Sequence, residues 1–307
     1  MIYTVTLNPS IDYVMTLDQL TQGAVNRANQ AVVYPGGKGI NVSQVLVEHH
    51  VKTVALGFVS GFTGEFITQA LSEKQIQTAF ITLPHGMSRI NVKLNSSEET
   101  EINGQGPMIN EEAIESLYEQ LEALKPGDSL VLGGSIPSSL PETFYQLIMQ
   151  RVNTKGIDII VDTTKQALLS TLVLKPFLIK PNQDELAELF ESSINSQDQV
   201  IAYGKKLQAL GARNVLVSRG KEGAILLTET GEILSSNVPK GVVKNAVGAG
   251  DSMVAGFIAG YLDTHSFEHA LKLGVASGSA TAFSSGLAKQ SLINELFPQI
   301  TIKQVIT

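Results

Sequence analysis

Two glycine-rich turns in this 307-residue chain run straight into apolar helices, and each carries one charged residue. The first is Pro35-Gly36-Gly37-Lys38-Gly39, and the second is Val247-Gly248-Ala249-Gly250-Asp251. Small residues let successive backbone N–H groups converge, and a helix start adds unpaired amides and the positive end of its dipole. Both turns therefore suit an anion such as phosphate. Lys38 strengthens such a site. Asp251 repels the anion unless its carboxylate takes a proton from a group attacking it, which is what phosphoryl transfer to a hydroxyl requires. An aspartate has a reference pKa of about 3.9, so an ionised Asp251 is available at neutral pH. The competing reading makes Asp251 the N-cap of a helix that starts there, and Lys38 a solvated lysine in a tight turn. Two commoner loops are excluded. A dinucleotide fingerprint needs glycine where Met253 stands, and a Walker A loop needs Ser or Thr where Gly39 follows Lys38.

Other candidates lie apart from these turns. Asp12, Arg27 and Arg89 fall on or beside strand-like segments, where a charge marks either a solvated edge or the wall of a ligand site. Lys180-Pro181-Asn182-Gln183-Asp184-Glu185 follows an apolar run and opens a helix. Its oxygens suit either hydrated Mg²⁺ or capping and dipole pairing. Ser218-Arg219-Gly220-Lys221-Glu222-Gly223 joins a strand to a hairpin, where backbone amides can meet a nucleotide phosphate. His49, His50, His85, His265 and His269 show no metal-binding spacing.

The elements that must hold these residues can be read from the apolar pattern. Residues 130–132, 158–161, 177–179 and 215–217 are short continuous apolar runs, as in strands buried on both faces. Helices over 141–151, 183–190 and 198–210 separate them, which predicts a mostly parallel sheet with helices on both faces. Ligands of such sheets lie beyond the carboxyl ends of the strands. Residues 2–7, 52–58 and 77–83 read as further strands, and 64–73 and 110–124 as helices, the latter capped by Asn110. Segments 223–228 and 232–234 form a hairpin. No charge occurs from 252 to 262, and small residues Ala255, Gly256, Ala259 and Gly260 line one face, so that helix is expected to be buried on most sides. A helix over 267–283, capped by Ser266, follows. Strands at 11–17 and 28–34 and a hairpin over 89–102 break the alternation. They read as a small β-sheet lid, inserted at about 11–35 and 88–103 in a single domain spanning 1–307.

Composition sets outer limits. Hydrophobic residues make up 43% and charged residues 17%, ordinary values for a globular domain. The net charge is -7 with no basic block, which argues against nucleic acid and makes each local cation informative. The absence of cysteine excludes disulfides and thiolate metal sites. Met1-Ile2-Tyr3-Thr4 lacks a charged leader region and no apolar run reaches spanning length, so a cytoplasmic protein without membrane contact is expected.

Together these motifs resemble the ribokinase-like family of carbohydrate kinases over essentially the whole chain. The stretch 245–260 is the most specific part, although Asn245-Ala246 stands where the family usually has Asp-Thr, a departure that is common among its hexose-phosphate kinases. Gly36-Gly37-Lys38-Gly39-Ile40-Asn41-Val42 resembles the family's sugar motif, and Lys180-Pro181-Asn182 with Glu185 its magnesium-associated motif. The resemblance implies a ribokinase-like α/β fold using ATP and Mg²⁺. Asp251 would take the proton from the acceptor hydroxyl, and the amides of Gly248, Ala249 and Gly250 would hold the transferring phosphoryl group. Asp12, Gly37 and Asn41 would contact sugar hydroxyls. Arg27, Lys38, Arg89 and Ser135 would meet the phosphate already on the sugar. Lys180, Asn182, Ser218, Gly220, Lys221 and Gly223 would line the ATP side with Gly250. Ser277, on a helix over 276–283, would flank adenine, and Glu185 would place Mg²⁺ through water. Lid strands in this family often pair between subunits, which implies a homodimer. Thr4-Val5-Thr6-Leu7-Asn8-Pro9-Ser10-Ile11-Asp12 suits either a fructose- or a tagatose-phosphate acceptor. Arg89-Ile90-Asn91-Val92-Lys93-Leu94, Thr100-Glu101-Ile102-Asn103 and Ile136-Pro137-Ser138-Ser139 lean toward fructose 1-phosphate over tagatose 6-phosphate or fructose 6-phosphate. A silent sugar-phosphate sensor and a nicotinamide dehydrogenase are the alternatives from other classes.

Overall fold

The computed structural model describes residues 1–306. Among those residues the main sheet holds eleven strands, ten in one continuous order and Ile81–Thr82 beside Thr53–Val59 off that order. From one edge it runs Ile302–Gln304, Ile233–Ser236, Ala224–Leu227, Asn214–Ser218, Leu178–Ile179, Asp158–Asp162, Ser129–Gly133, Ile2–Thr6, Thr53–Val59 and Gln77–Thr78. Neighbours from Asn214–Ser218 to Gln77–Thr78 are parallel, while the first-named edge is antiparallel.

The parallel strands are apolar on both faces because alternate side chains enter different cores. Val5, Leu130, Leu132, Ile159, Val161, Val215 and Val217 pack with Leu117, Ile148, Leu168, Leu186 and Leu207 of the helices on one side. Ile2, Val131, Ile160 and Leu216 pack with Val45, Val254, Leu271 and Ile293 on the other. Burying one such side chain contributes about 1.5–3 kcal/mol, so both helical layers are held by the sheet rather than by helix propensity. The second layer contains Lys38–Glu48, Ala249–Thr264, Phe267–Ala282 and Gln290–Leu296. Every residue from Asp251 to Gly260 is buried. The small face of that helix lets Phe267–Ala282 approach closely: a Cβ on Gly256 would stand 2.4 Å from Ser277 Oγ and 2.6 Å from Leu273 O.

A second sheet orders Gln30–Gly36, Ser10–Thr16, Arg89–Asn95 and Glu99–Asn103, as the broken alternation predicts. Its register sets Asp12 against Asn91, Asn91 against Asn103, and Lys93 against Glu101. The helix Gly61–Glu73 contacts the first two of these strands.

Some boundaries differ from expectation. The stretch 77–83 is two short strands, Gln77–Thr78 and Ile81–Thr82, which pair with opposite ends of Thr53–Val59. Gly57, at φ 139°, interrupts the ladder between them. Lys165–Thr171, Gln290–Leu296 and Ile302–Gln304 were not foreseen, being too short to show a period.

Candidate active site

The strand Ile2–Thr6 pairs with Thr53–Val59 on one side and Ser129–Gly133 on the other, so chain order reverses around it. At such a switch point the connections leave in opposite directions and a crevice opens beyond the carboxyl ends. A cleft of about 1430 Å³ lies there. Its floor comes from strand ends: Thr6 and Asn8, Gly134 and Ser135, Lys180 and Asn182, Ser218 and Gly220. The second sheet supplies the facing wall with Asp12, Arg89, Asn91 and Lys93.

Both glycine turns open into this cleft. The helix Ala249–Thr264 starts two residues before Asp251, with Gly248 as N-cap at φ 78°. Asp251 is therefore in the first turn, and the N-cap reading does not hold. The left-handed backbone at Gly248 turns the Ala249 amide back to Ala246 O at 3.2 Å. The amides of Gly248, Gly250 and Asp251 find no backbone acceptor among the described residues, and all three residues line the cleft. Ala249, expected among the donors, has its amide engaged by Ala246 O in the empty cleft. Gly37, at φ 123°, is the N-cap of the Lys38 helix, and a Cβ there would meet Thr6 Cγ2 at 2.5 Å.

Asp251 is 6% exposed, and its Oδ2 accepts a hydrogen bond from Asn41 Nδ2 at 2.8 Å. Lys38 Nζ lies 3.8 Å from Asp251 Oδ1 and donates to Asp162 Oδ1 at 3.1 Å. Lys180 Nζ, on a side chain 3% exposed, stands 3.6 Å from the same Asp162 oxygen. Burial, then the nearby charge of Asp162, raises the Asp251 carboxyl above the ordinary range, with Lys38 and Asn41 opposing. Burial pushes Asp162 up too, but Lys180 and Lys38 outweigh it and hold it below the ordinary range. Burial alone would lower Lys38; Asp162, Asp251 and Glu185 together raise it, so it stays charged. A carboxylate with raised proton affinity beside empty amides and two lysines can accept a hydroxyl proton while a phosphoryl group arrives.

The other half of the cleft is lined by residues 182–185 and 218–223. Asn182 and Glu185 form a reciprocal capping box, with Asn182 N donating to Glu185 Oε2 at 2.8 Å and Glu185 N to Asn182 Oδ1 at 2.7 Å. The capping alternative for this pair is thus realised, and it leaves Glu185 Oε1 unengaged on a residue lining the cleft. Lys221 and Gly223 join Ser218 and Gly220 along this rim. Lys180 reaches under Gly250, where a Cβ would stand 3.1 Å from its Nζ.

On the wall of the second sheet, Asp12 Oδ1 accepts from Ser10 Oγ at 2.8 Å and from Asn91 Nδ2 at 3.0 Å. Arg89 donates Nε–H to Asn8 O at 3.0 Å. Burial lowers the Arg89 guanidinium's proton affinity, with Asp12 partly restoring it.

Two expected residues lie elsewhere. Arg27 is exposed on the loop between Ser10–Thr16 and Gln30–Gly36, a loop folded on itself by Asn26 hydrogen bonds to Thr21. Ser277 is fully buried between helices, bonding His49 Nε2 at 2.9 Å and donating to Leu273 O; Val275, Gly278, Ser279, Ala282 and Phe283 of its helix line the cleft instead. Asp162, Asn91, Lys93 and Glu101 were not singled out as site residues. Asp162 ends a buried parallel strand, a position that the rule for such sheets marks for ligands.

Among the described residues no helix is long and apolar enough to cross a membrane. The chain is 48% identical to a 1-phosphofructokinase of Bacillus subtilis (strain 168) over 305 residues, covering 99% of this chain and 100% of that protein. It is 37% identical to a D-tagatose-1-phosphate kinase of Bacillus licheniformis, covering 98% and 99%. The structure of phosphofructokinase-2 from Escherichia coli in complex with substrates and products superimposes with a TM-score of 0.91 at 27% identity, covering 97% and 98%. The fold is ribokinase-like. A family model described as pfkB family carbohydrate kinase matches residues 5–293, and the chain belongs to that family.

Proposed function

We propose that this protein transfers the γ-phosphoryl group of ATP to the C6 hydroxyl of D-fructose 1-phosphate, giving fructose 1,6-bisphosphate and ADP. The observation that carries this reading is Asp251, buried at a helix start whose amides are open and flanked by Lys38 and Lys180. The 48% identity to a 1-phosphofructokinase supports the choice of acceptor.

In this mechanism Asp251 accepts the hydroxyl proton as the oxygen attacks the γ-phosphorus. The bond from that phosphorus to the β,γ-bridging oxygen breaks, and the electron pair leaves with ADP. The Gly248 and Gly250 amides hold the moving phosphoryl oxygens, with Lys180 beneath them. Asp12, Gly37 and Asn41 orient the sugar hydroxyls, while Arg89, with Ser135 at the rim, meets the phosphate it already carries. Asn182, Ser218, Gly220, Lys221 and Gly223 hold the nucleotide.

The donor set fits hydrated Mg²⁺. Glu185 offers one unengaged carboxylate oxygen, and Asp162 Oδ2 is buried without a partner. Mg²⁺ binds through few carboxylates while keeping several waters, so one such oxygen with nucleotide phosphates suffices to hold it. Bound there, Mg²⁺ supplies charge neutralisation for the phosphates.

The second sheet serves as the lid over the acceptor and as the contact of a homodimer, and the protein works in the cytoplasm. Tagatose 1-phosphate is the second acceptor to weigh, given the 37% relative named for that activity. A coupled ADP-release assay with fructose 1-phosphate, fructose 6-phosphate and the two tagatose phosphates tests the assignment. The highest kcat/KM is expected with fructose 1-phosphate; a higher value with any of the others replaces it, and no ADP with any leaves a binding protein.

A further inference from the structure

Arg89, Asn91 and Lys93 alternate along one strand, so their side chains leave the same face, and all three line the cleft. Lys93 is only 8% exposed. Its ammonium lies 3.3 Å from Glu101 Oε1 and 3.6 Å from Asp12 Oδ2, both longer than the ~2.7–2.9 Å of a good charge-assisted hydrogen bond. Asp12 sits opposite Asn91 in the register, so Lys93 leans back toward Arg89. Arg89 engages only its Nε–H, and its terminal nitrogens have no acceptor among the described residues. Two cations therefore line the same stretch of wall, Arg89 with its terminal nitrogens open among the described residues and Lys93 held at ion-pair distance by Glu101 and Asp12.

The two carboxylates on this wall are not equivalent. Asp12 is fixed by Ser10 and Asn91, and its side chain is 16% exposed. Glu101, on the edge strand Glu99–Asn103, has a side chain 39% exposed, with no hydrogen bond or ion pair other than that to Lys93 among the described residues. With Glu101 in place the wall is neutral, Arg89 and Lys93 against Asp12 and Glu101. With Glu101 drawn away from Lys93 it carries one net positive charge, directed at whatever occupies the cleft.

We propose that Lys93 grips the phosphate already present on the sugar together with Arg89, and that Glu101 holds Lys93 in the empty cleft and is displaced by that phosphate. The inference deepens the proposed function and rests on a sugar phosphate as acceptor. It assigns preference for an anionic over a neutral end group to the exchange of one carboxylate for another partner on a single ammonium. Glu101 is accordingly a competitor for Lys93, and Lys93 touches substrate.

The test compares Lys93→Met, Glu101→Gln and the double variant, each checked for folding by its melting temperature. On the ketose phosphate that the wild type turns over best, Lys93→Met is expected to raise KM by about 10- to 100-fold, the scale of a lost charged contact. KM for ATP should stay near the wild-type value. Glu101→Gln should lower KM severalfold, and the double variant should stay as weak as Lys93→Met. Titration calorimetry with inorganic phosphate reads the same site without turnover, so this inference and the choice of acceptor can fail separately. If Lys93 only neutralises Glu101 and braces the sheet, Glu101→Gln raises KM, the double variant recovers, and the free ketose suffers as much as its phosphate. Any of those outcomes overturns the proposal.

Discussion

Asp162 and Asp251 share one ammonium: Lys38 Nζ is 3.1 Å from an oxygen of the first and 3.8 Å from an oxygen of the second. Asp162 also has Lys180 at 3.6 Å, and the Asp251 carboxylate has only Asn41 as a hydrogen-bond donor among the described residues. Two buried carboxylates thus have their proton affinities pushed apart, one down and one up. Such a split assigns different roles to chemically identical groups. Asp162 fixes the lysines, and Asp251 is left able to take a proton.

Removing the Asp162 charge relieves its repulsion of Asp251 and leaves Lys38 with Asp251 as its nearest carboxylate. The acid limb of kcat/KM, set by ionisation of Asp251, is expected above the ordinary carboxylate value of about 4 in the wild type. In Asp162→Asn it should move to lower pH. A pH–rate profile checks this, and an acid limb that stays put would separate the two carboxylates.

Stability should respond to the two carboxylates with opposite signs. Asp162, its folded proton affinity lowered, contributes stability above the ordinary carboxylate range that is lost as pH falls through its folded value. Asp251, its affinity raised, contributes below that range and loses the contribution as pH rises through its folded value. At neutral pH, Asp162→Asn strands Lys180 without its partner and should destabilise by about 3–5 kcal/mol. Asp251→Asn keeps an acceptor for Asn41 and removes a buried charge, so its melting temperature should equal or exceed that of the wild type. Paired thermal melts at pH 7 decide.

His49 gives a separate pH signature. Ser277 Oγ donates to Leu273 O, so the 2.9 Å contact is a donation from His49 Nε2–H. Burial pushes this imidazole down to about 4 from the usual 6.5. The unfolded chain then binds a proton that the folded one refuses, and stability is lost as pH falls from about 6.5 toward 4, by at most about 3 kcal/mol. His49→Gln should flatten the melting temperature across that window relative to the wild type.

Much of the fold was legible because buried parallel strands and glycine-led helix starts are local signals. The apolar run at 130–132 and the uncharged stretch at 252–262 each report burial without reference to any other part of the chain. Gly37, Lys38, Asn41 and Gly248 through Asp251 carry their chemistry in one short segment each, and the cleft gathers them. Asp162 was not legible in this way, since nothing beside it in sequence announces that Lys38 and Lys180 will arrive, 124 and 18 positions away. Lys93 was hidden for a related reason. A charge on a strand looks solvated until the register brings Glu101 and Asp12 around it. Arg27 and Ser277 differ in the opposite direction: each sits near a motif in sequence, and in the single chain a self-bonded loop and a helix interface place them outside the cleft.

The role of Asp251 is tested most directly by measuring kcat of Asp251→Asn with saturating ATP and fructose 1-phosphate, alongside the sugar phosphate's Kd. A fall in kcat of ~10²–10⁴-fold, about 3–5 kcal/mol, with Kd nearly unchanged is the expected result. A variant that keeps most of its kcat, or loses activity only through weaker binding, would contradict proton transfer to this carboxylate.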